Sequence, residues 1–162
     1  MARLRALVED DWRDWRDLRL AALEDAPEAF SATIEEWSGL GDSEDRWRQR
    51  LVTVPYNVLA YVRGQAVGMV SAFPVDEAQV ELLSLWVDPT ARGRGVSDEL
   101  VMAVVGWAEQ QGRHRVVLGV RASNDRAIGL YRRIGFVDVG AYEPSKSGAA
   151  AEREMRLELA PQ

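Results

Sequence analysis

Residues 92–97 read Arg92-Gly93-Arg94-Gly95-Val96-Ser97, a basic glycine turn between an apolar run and a long amphipathic stretch. A helix that starts at such a turn leaves its first N–H groups without intrahelical partners. Its aligned peptide dipoles add positive potential at the same place. Glycines let the main chain approach a phosphate with no Cβ in the way. Arg92 and Arg94 add full charges and Ser97 adds a hydroxyl. The pattern predicts a phosphate-bearing ligand, although a glycine pair alone also fits a plain tight turn. Two familiar phosphate frameworks are excluded. A Walker loop needs a lysine after its last glycine, and Val96-Ser97 supplies none. A dinucleotide fingerprint needs a third glycine and an acid closing the next strand, and both are missing.

Other side chains could move protons. Glu81 stands in the largely apolar run 79–87, where desolvation would lift a carboxylate towards the working range of a general base. The same residue also fits a strand-end carboxylate that faces water. Tyr131 lies on a helical stripe, and spacing alone reads it as core. His114 is the one histidine and falls in a turn before a strand, which makes it structural or surface rather than a base.

The elements that must hold these groups alternate between helix and strand periods. Residues 3–8 read as a strand, and Asp10 and Asp11 offer capping oxygens for a helix from Trp12 to about Asp25, with Trp15, Leu18 and Ala22 as its buried stripe. Ser31–Trp37 is expected to be helical, and Asp42 or Ser43 to cap a second helix carrying Trp47 and Leu51. Asn57–Arg63 and Ala66–Phe73 form a hairpin around Gly64-Gln65. A strand follows at 79–87, then a helix from about Val96 to Gln111, closed by Gly112. Arg115–Val120 reads as a buried strand and Asn124–Arg133 as a helix. A strand after Phe136, a small-residue loop at 144–151 and a strand at Arg153–Leu159 complete an α/β domain with a mixed sheet.

Composition narrows the function classes. The 162 residues fit one domain, 1–162, with apolar residues at 47% and charged residues at 28%. No cysteine occurs, which excludes a disulfide scaffold, an iron–sulfur site and a cysteine nucleophile. With one histidine besides, no metal site is expected. No apolar run reaches the ~18 residues of a membrane span, and the first residues run into Glu9, Asp10 and Asp11 rather than a secretory signal, so a cytoplasmic protein is expected. The net charge of −6 is uneven: residues 1–50 carry −5 and residues 92–137 carry +4. That asymmetry fits one anionic and one cationic ligand, or simply solvated helix faces. An acidic chain is a poor nucleic-acid binder.

The run Leu85-Trp86-Val87-Asp88-Pro89-Thr90-Ala91-Arg92-Gly93-Arg94-Gly95-Val96-Ser97 resembles the acetyl-CoA motif of the GCN5-related N-acetyltransferase (GNAT) superfamily, Gln/Arg-x-x-Gly-x-Gly/Ala. Residues 124–136, from Asn124 through Ala127, Leu130, Tyr131 and Gly135 to Phe136, resemble its second signature, Asn-x-x-Ala-x-x-Leu-Tyr-x-x-x-Gly-Phe. Ser97 departs from the usual Gly/Ala and is small enough to fit. The resemblance implies a mixed, mostly antiparallel sheet of about seven strands, splayed between strands 4 and 5 and flanked by about four helices. It implies acetyl-CoA as co-substrate, with no metal. The pantetheine arm would then pair with Val87, the Leu85 N–H would face the acetyl carbonyl, and Trp86 and residues 92–97 would line the cofactor. Tyr131, an ordinary phenol having a pKa of about 10, would protonate the departing thiolate, the base would be Glu81 or, as in other members, a water chain anchored at Ser84, and Asn124 would cap its helix or touch the arm.

The resemblance also puts the acceptor between residues 26–42 and 143–152. The first segment offers Phe30, Glu35 and Trp37 beside Glu28 and Glu36, acids and aromatics suited to an ammonium. With Ser84 they are the expected substrate contacts. The expected reaction is acetyl transfer to a primary amine of a small cationic molecule by direct attack, with no nucleic-acid or membrane partner. A peptide or protein amino group, another acyl-CoA donor and a non-catalytic acyl-CoA sensor remain as alternatives. Six tryptophans could also mark a homodimer interface.

Overall fold

The computed structural model describes residues 2–30, 32–143 and 151–160. Seven strands, β1 (Arg3–Ala6), β2 (Tyr56–Val62), β3 (Gln65–Pro74), β4 (Gln79–Val87), β5 (Arg115–Val120), β6 (Val137–Ala141) and β7 (Arg153–Glu158), form one sheet in the order β1-β2-β3-β4-β5-β7-β6. Every neighbouring pair is antiparallel except β4 and β5. Four helices, α1 (Trp12–Asp25), α2 (Glu44–Thr53), α3 (Val96–Gln110) and α4 (Asp125–Ile134), cover it. The mixed, mostly antiparallel seven-stranded sheet with four helices is the architecture expected from the sequence.

Strand alternation divides the core into two layers. Val58 and Ala60 of β2, Val70 and Ala72 of β3 and Val80 and Leu82 of β4 face α3, which buries Val96, Leu100, Val101 and Val104 against them. Leu59, Tyr61 and Met69 face the other way, onto Trp15, Leu18 and Ala22 of α1 and Trp47 and Leu51 of α2. Gly68 permits the close approach of α3, because a Cβ there would lie 3.0 Å from Leu100 Cδ1. Among the described residues no helix is long and apolar enough to cross a membrane, and no cluster of side chains could hold a metal ion.

Local details differ from the sequence reading for identifiable reasons. The helix at Trp12 begins where expected, but a 3-10 turn at Glu9–Asp11 precedes it, and the Asp11 carboxylate accepts the Val8 N–H instead of capping the helix. Ser43 is the cap of α2, accepting from the Arg46 N–H. Asp42 instead accepts from Arg16 and from Trp47 Nε1, which together hold its carboxyl down to about 2. The expected helix at 31–37 shrinks to a 3-10 turn at Glu35–Trp37, since the Thr33 hydroxyl takes the Glu36 N–H and a second turn at Gly39–Gly41 follows at once. Ser31 and most of the expected 144–151 loop lie outside the described residues.

Candidate active site

The parallel pair β4–β5 is in register only at Gln79–Arg115, Val80–Val116 and Glu81–Val117. Beyond Glu81 the two strands part, although β4 runs on to Val87 and β5 to Val120. A cleft of about 960 Å³ occupies the opening, within the range of small-molecule sites. Its walls come from β4 (Glu81 to Val87), the turn before α3, Val120, Arg121 and Asn124, one face of α4, and the end of α1.

A bulge gives β4 its second irregularity. Met69 pairs with Trp86 and Ser71 with Leu83, so Val70 alone faces both Ser84 and Leu85. Ser84 takes φ 61°, a left-handed conformation that costs a non-glycine residue ~1–3 kcal/mol and persists only where the surroundings impose it. Neither residue has an in-register partner on β3 or β5, and on the side that β5 has left β4 has no neighbouring strand to pair with. Nothing in the sequence marked this bulge.

The glycine turn lies at the cleft mouth. Gly93 and Gly95 have φ 79° and 81°, and a Cβ on either would meet no atom within 4 Å, so backbone conformation rather than crowding favours glycine here. Gly95 is the N-cap residue of α3 and supplies no capping side chain, which leaves first-turn N–H groups free to take an anion. Gly93, Gly95, Val96 and Ser97 line the cleft, whereas Arg94 does not. Arg92 lines it too, but Nε binds the Val87 carbonyl (2.9 Å) and Nη2 binds Asp25 (2.9 Å). Trp86 Nε1 donates to the same Asp25 oxygen at 3.0 Å, and the two donors, Trp86 first, lower its carboxyl pKa. Arg92 and Trp86 therefore tie the end of α1 to the end of β4. Arg121, Arg126 and Arg133 also line the cleft and were not singled out in the sequence; Arg133 pairs with Asp98 at 2.7 Å.

The two residues read as proton carriers face this cleft. Glu81 is 1% exposed at the vertex of the opening, and Tyr142 Oη donates to its Oε2 at 2.8 Å. The carboxylate is inside the protein rather than at a wet strand end. Tyr142 fits because residue 119 is glycine: a Cβ there would stand 2.6 Å from its ring. Neither residue was singled out in the sequence. Tyr131 is 6% exposed, lines the cleft and packs on Phe136 with ring centroids 5.6 Å apart. Burial pushes its phenol pKa well above the ordinary value. Asn124 caps α4 by accepting the Ala127 N–H at 3.2 Å and also lines the cleft.

The expected acceptor residues divide. Phe30 and Ser84 line the cleft; Glu35 and Trp37 do not. Glu35 is exposed on its turn, and Trp37 packs on Trp47 at 4.3 Å with Arg46 over its ring. Of the second acceptor segment, Ala151 lines the cleft and 144–150 lie outside the described residues. His114 is exposed and is not a wall residue. The cleft also contains Arg19, whose sequence signal was a charge four residues after Trp15 and next to Leu18, on the stripe itself.

Comparison with known proteins agrees with this geometry. The model of the acetyltransferase (GNAT) family matches residues 4–136. The chain is 39% identical over 84 residues to N-acetyltransferase family 8 member 2 of Rattus norvegicus, covering 49% of this chain and 37% of that protein. It is 32% identical over 138 residues to mycothiol acetyltransferase of Clavibacter sepedonicus, covering 83% of this chain and 42% of that protein. It therefore spans less than half the length of either relative. A Salmonella typhimurium protein solved with its cofactor acetyl-CoA superposes with a TM-score of 0.75 at 19% identity, covering 100% of this chain and 96% of that one.

Proposed function

Because the chain belongs to the acetyltransferase (GNAT) family, we propose that it transfers the acetyl group of acetyl-CoA to a primary amine of a small molecule by direct attack. The observation that carries this reading is the parting of β4 from β5 beyond Glu81, which places a cleft between the glycine turn, Tyr131 and Glu81. The residues present fit the co-substrate. Left-handed glycines and a helix N-terminus without a side-chain cap suit the phosphates, and main-chain groups of β4 that have no strand partner suit the amide-rich arm.

Acetyl-CoA supplies an activated acyl carbon and its own leaving sulfur, so the protein must orient, deprotonate and reprotonate. The incoming ammonium gives up a proton through Glu81, and the neutral nitrogen forms the new C–N bond as the C–S bond breaks. The bulge at Ser84–Leu85 offers main-chain groups where charge develops on the acetyl oxygen. Tyr131 delivers a proton to the sulfur and is restored by the second proton leaving the nitrogen, so one proton reaches water per turnover. Burial keeps that phenol protonated at neutral pH. It also makes it a weaker acid, so it gives up its proton only to a thiolate desolvated beside it. Glu28 and Glu81 are acids on the wall, and they support an acceptor that arrives as an ammonium.

A panel of primary amines with acetyl-CoA, read by thiol release, tests the reading. Acetylation of at least one amine is expected, with product carrying one acetyl group on nitrogen. Tight binding of acetyl-CoA without transfer to any amine would replace the enzyme with an acyl-CoA sensor.

A further inference from the structure

The proposed acceptor end of the cleft contains a cation with no ion-pair partner among the described residues. Arg19 is buried on the inner stripe of α1, at 9% exposure, and is a wall residue of the cleft. Its guanidinium carbon lies 4.5 Å from the centroid of the Phe30 ring, and Nη1 is buried with no hydrogen-bond partner. Among the described residues no carboxylate lies within ion-pair distance of it, whereas Arg92 and Arg133 in the same cleft are paired with Asp25 and Asp98. Buried charges are ordinarily paired, so one unpaired among the described residues of a ligand cleft points to a partner on the ligand.

A second arginine, half-buried behind the cleft wall, adds to the imbalance. Arg50 of α2 donates to Asn57 Oδ1 at 2.9 Å and Ser71 Oγ at 3.2 Å, both neutral, and lies over Trp15. Ser71 stands opposite Leu83 of β4, itself on the cleft wall. Burial draws Arg19 down to about 10, and burial with the charge of Arg19 draws Arg50 down to about 9. Both are protonated at neutral pH, and the field they raise at this end is positive.

We propose that Arg19 receives the carboxylate of the acceptor, which makes the substrate an amine that also carries a carboxylate, of the amino-acid type. This rests on the acetyl-transfer reading above and names its substrate class. A guanidinium presents a planar fork of donors that matches a carboxylate, and Phe30 holds that plane from one side. Glu81 and the bulge lie on the same cleft, so a molecule spanning it offers its nitrogen to the strands and its anion to α1.

The test uses matched pairs: amino acids beside their carboxamides as acceptors, and N-acetyl amino acids beside their carboxamides as ligands of the CoA-loaded protein. The wild type is expected to favour the carboxylate member of a pair by about 10- to 100-fold in kcat/KM and in affinity, as for a hydrogen bond to a charged group. Arg19→Met is expected to erase that preference through KM while acetyl-CoA affinity and acetylation of the carboxamides change less than about threefold. Arg19→Lys, which keeps the charge and loses the fork, is expected to fall between them. Equal use of both members by the wild type, or an equal loss on both in a folded Arg19→Met, overturns the assignment while leaving acetyl transfer intact. Binding of N-acetyl amino acids without acetylation of any amine overturns acetyl transfer and upholds the carboxylate site.

Discussion

The two ends proposed for the cleft, one for the donor and one for the acceptor, are built by different means. The donor end is made of main chain: left-handed glycines, the first turn of α3 and a β4 edge released by the divergence of β5. The acceptor end is made of side chains that meet from far apart in the sequence, Arg19 and Phe30 from the α1 region, Glu81 from β4 and Tyr142 from beyond β6. Main-chain sites tolerate variation in most side chains, because the ligand reads backbone; side-chain sites do not. Mutations at the two ends should therefore fail in different ways.

The largest effect is expected from Glu81→Gln, which keeps shape and removes the proposed base: kcat should fall about 10²- to 10⁴-fold with acetyl-CoA affinity unchanged by calorimetry. An unchanged kcat would transfer proton removal to water. Tyr131→Phe comes next, at about 10²-fold in kcat. Since burial raises this phenol pKa, the wild type should show no loss of activity from Tyr131 ionisation below about pH 10, its ordinary value. A descending limb near pH 8 that disappears in Tyr131→Phe would contradict that placement.

The third prediction sets glycine against glycine. Gly95→Val forces a β-branched residue into φ 81° at an uncrowded position, and should weaken acetyl-CoA binding about tenfold while leaving the acceptor KM alone. Gly119→Ala meets the Tyr142 ring and Ala151 instead. It should lower stability by about 1–3 kcal/mol in denaturant and lower kcat by disturbing the Glu81 contact, with acetyl-CoA binding retained. Equal damage to both substrates by both variants would erase the distinction between the ends.

The smallest effect lies outside the cleft. Asp42 has its carboxyl pKa lowered to about 2 by Arg16 and Trp47, so its contribution is present above pH ~4 and is lost as the pH falls towards 2. Asp42→Asn should flatten the acid limb of a stability–pH curve without altering kcat at neutral pH.

Legibility in the sequence follows the same division. The turn at 92–97, the helix cap at Asn124 and the buried tyrosine were readable because each depends on residue types at fixed local spacing. Trp37 was misplaced as a substrate contact because its aromatic ring suits an ammonium and equally suits Trp47, and nothing local distinguishes the two. Arg92 looked like a phosphate ligand until Asp25, 67 residues away, took its Nη2.

The sequence by itself determined the alternation of elements and the glycine turn at the head of α3, since helix period, strand period and left-handed glycines are local properties of the chain; the family was marked by the likeness of residues 85–97 and 124–136 to its two signatures. Only the tertiary structure decided that β4 and β5 part at Glu81, that β4 bulges at Ser84, that Gly119 makes room for Tyr142, and that Arg19 is buried without a partner. Each of these depends on which distant segments are brought together, and contacts across the fold leave no periodic trace in the order of residues.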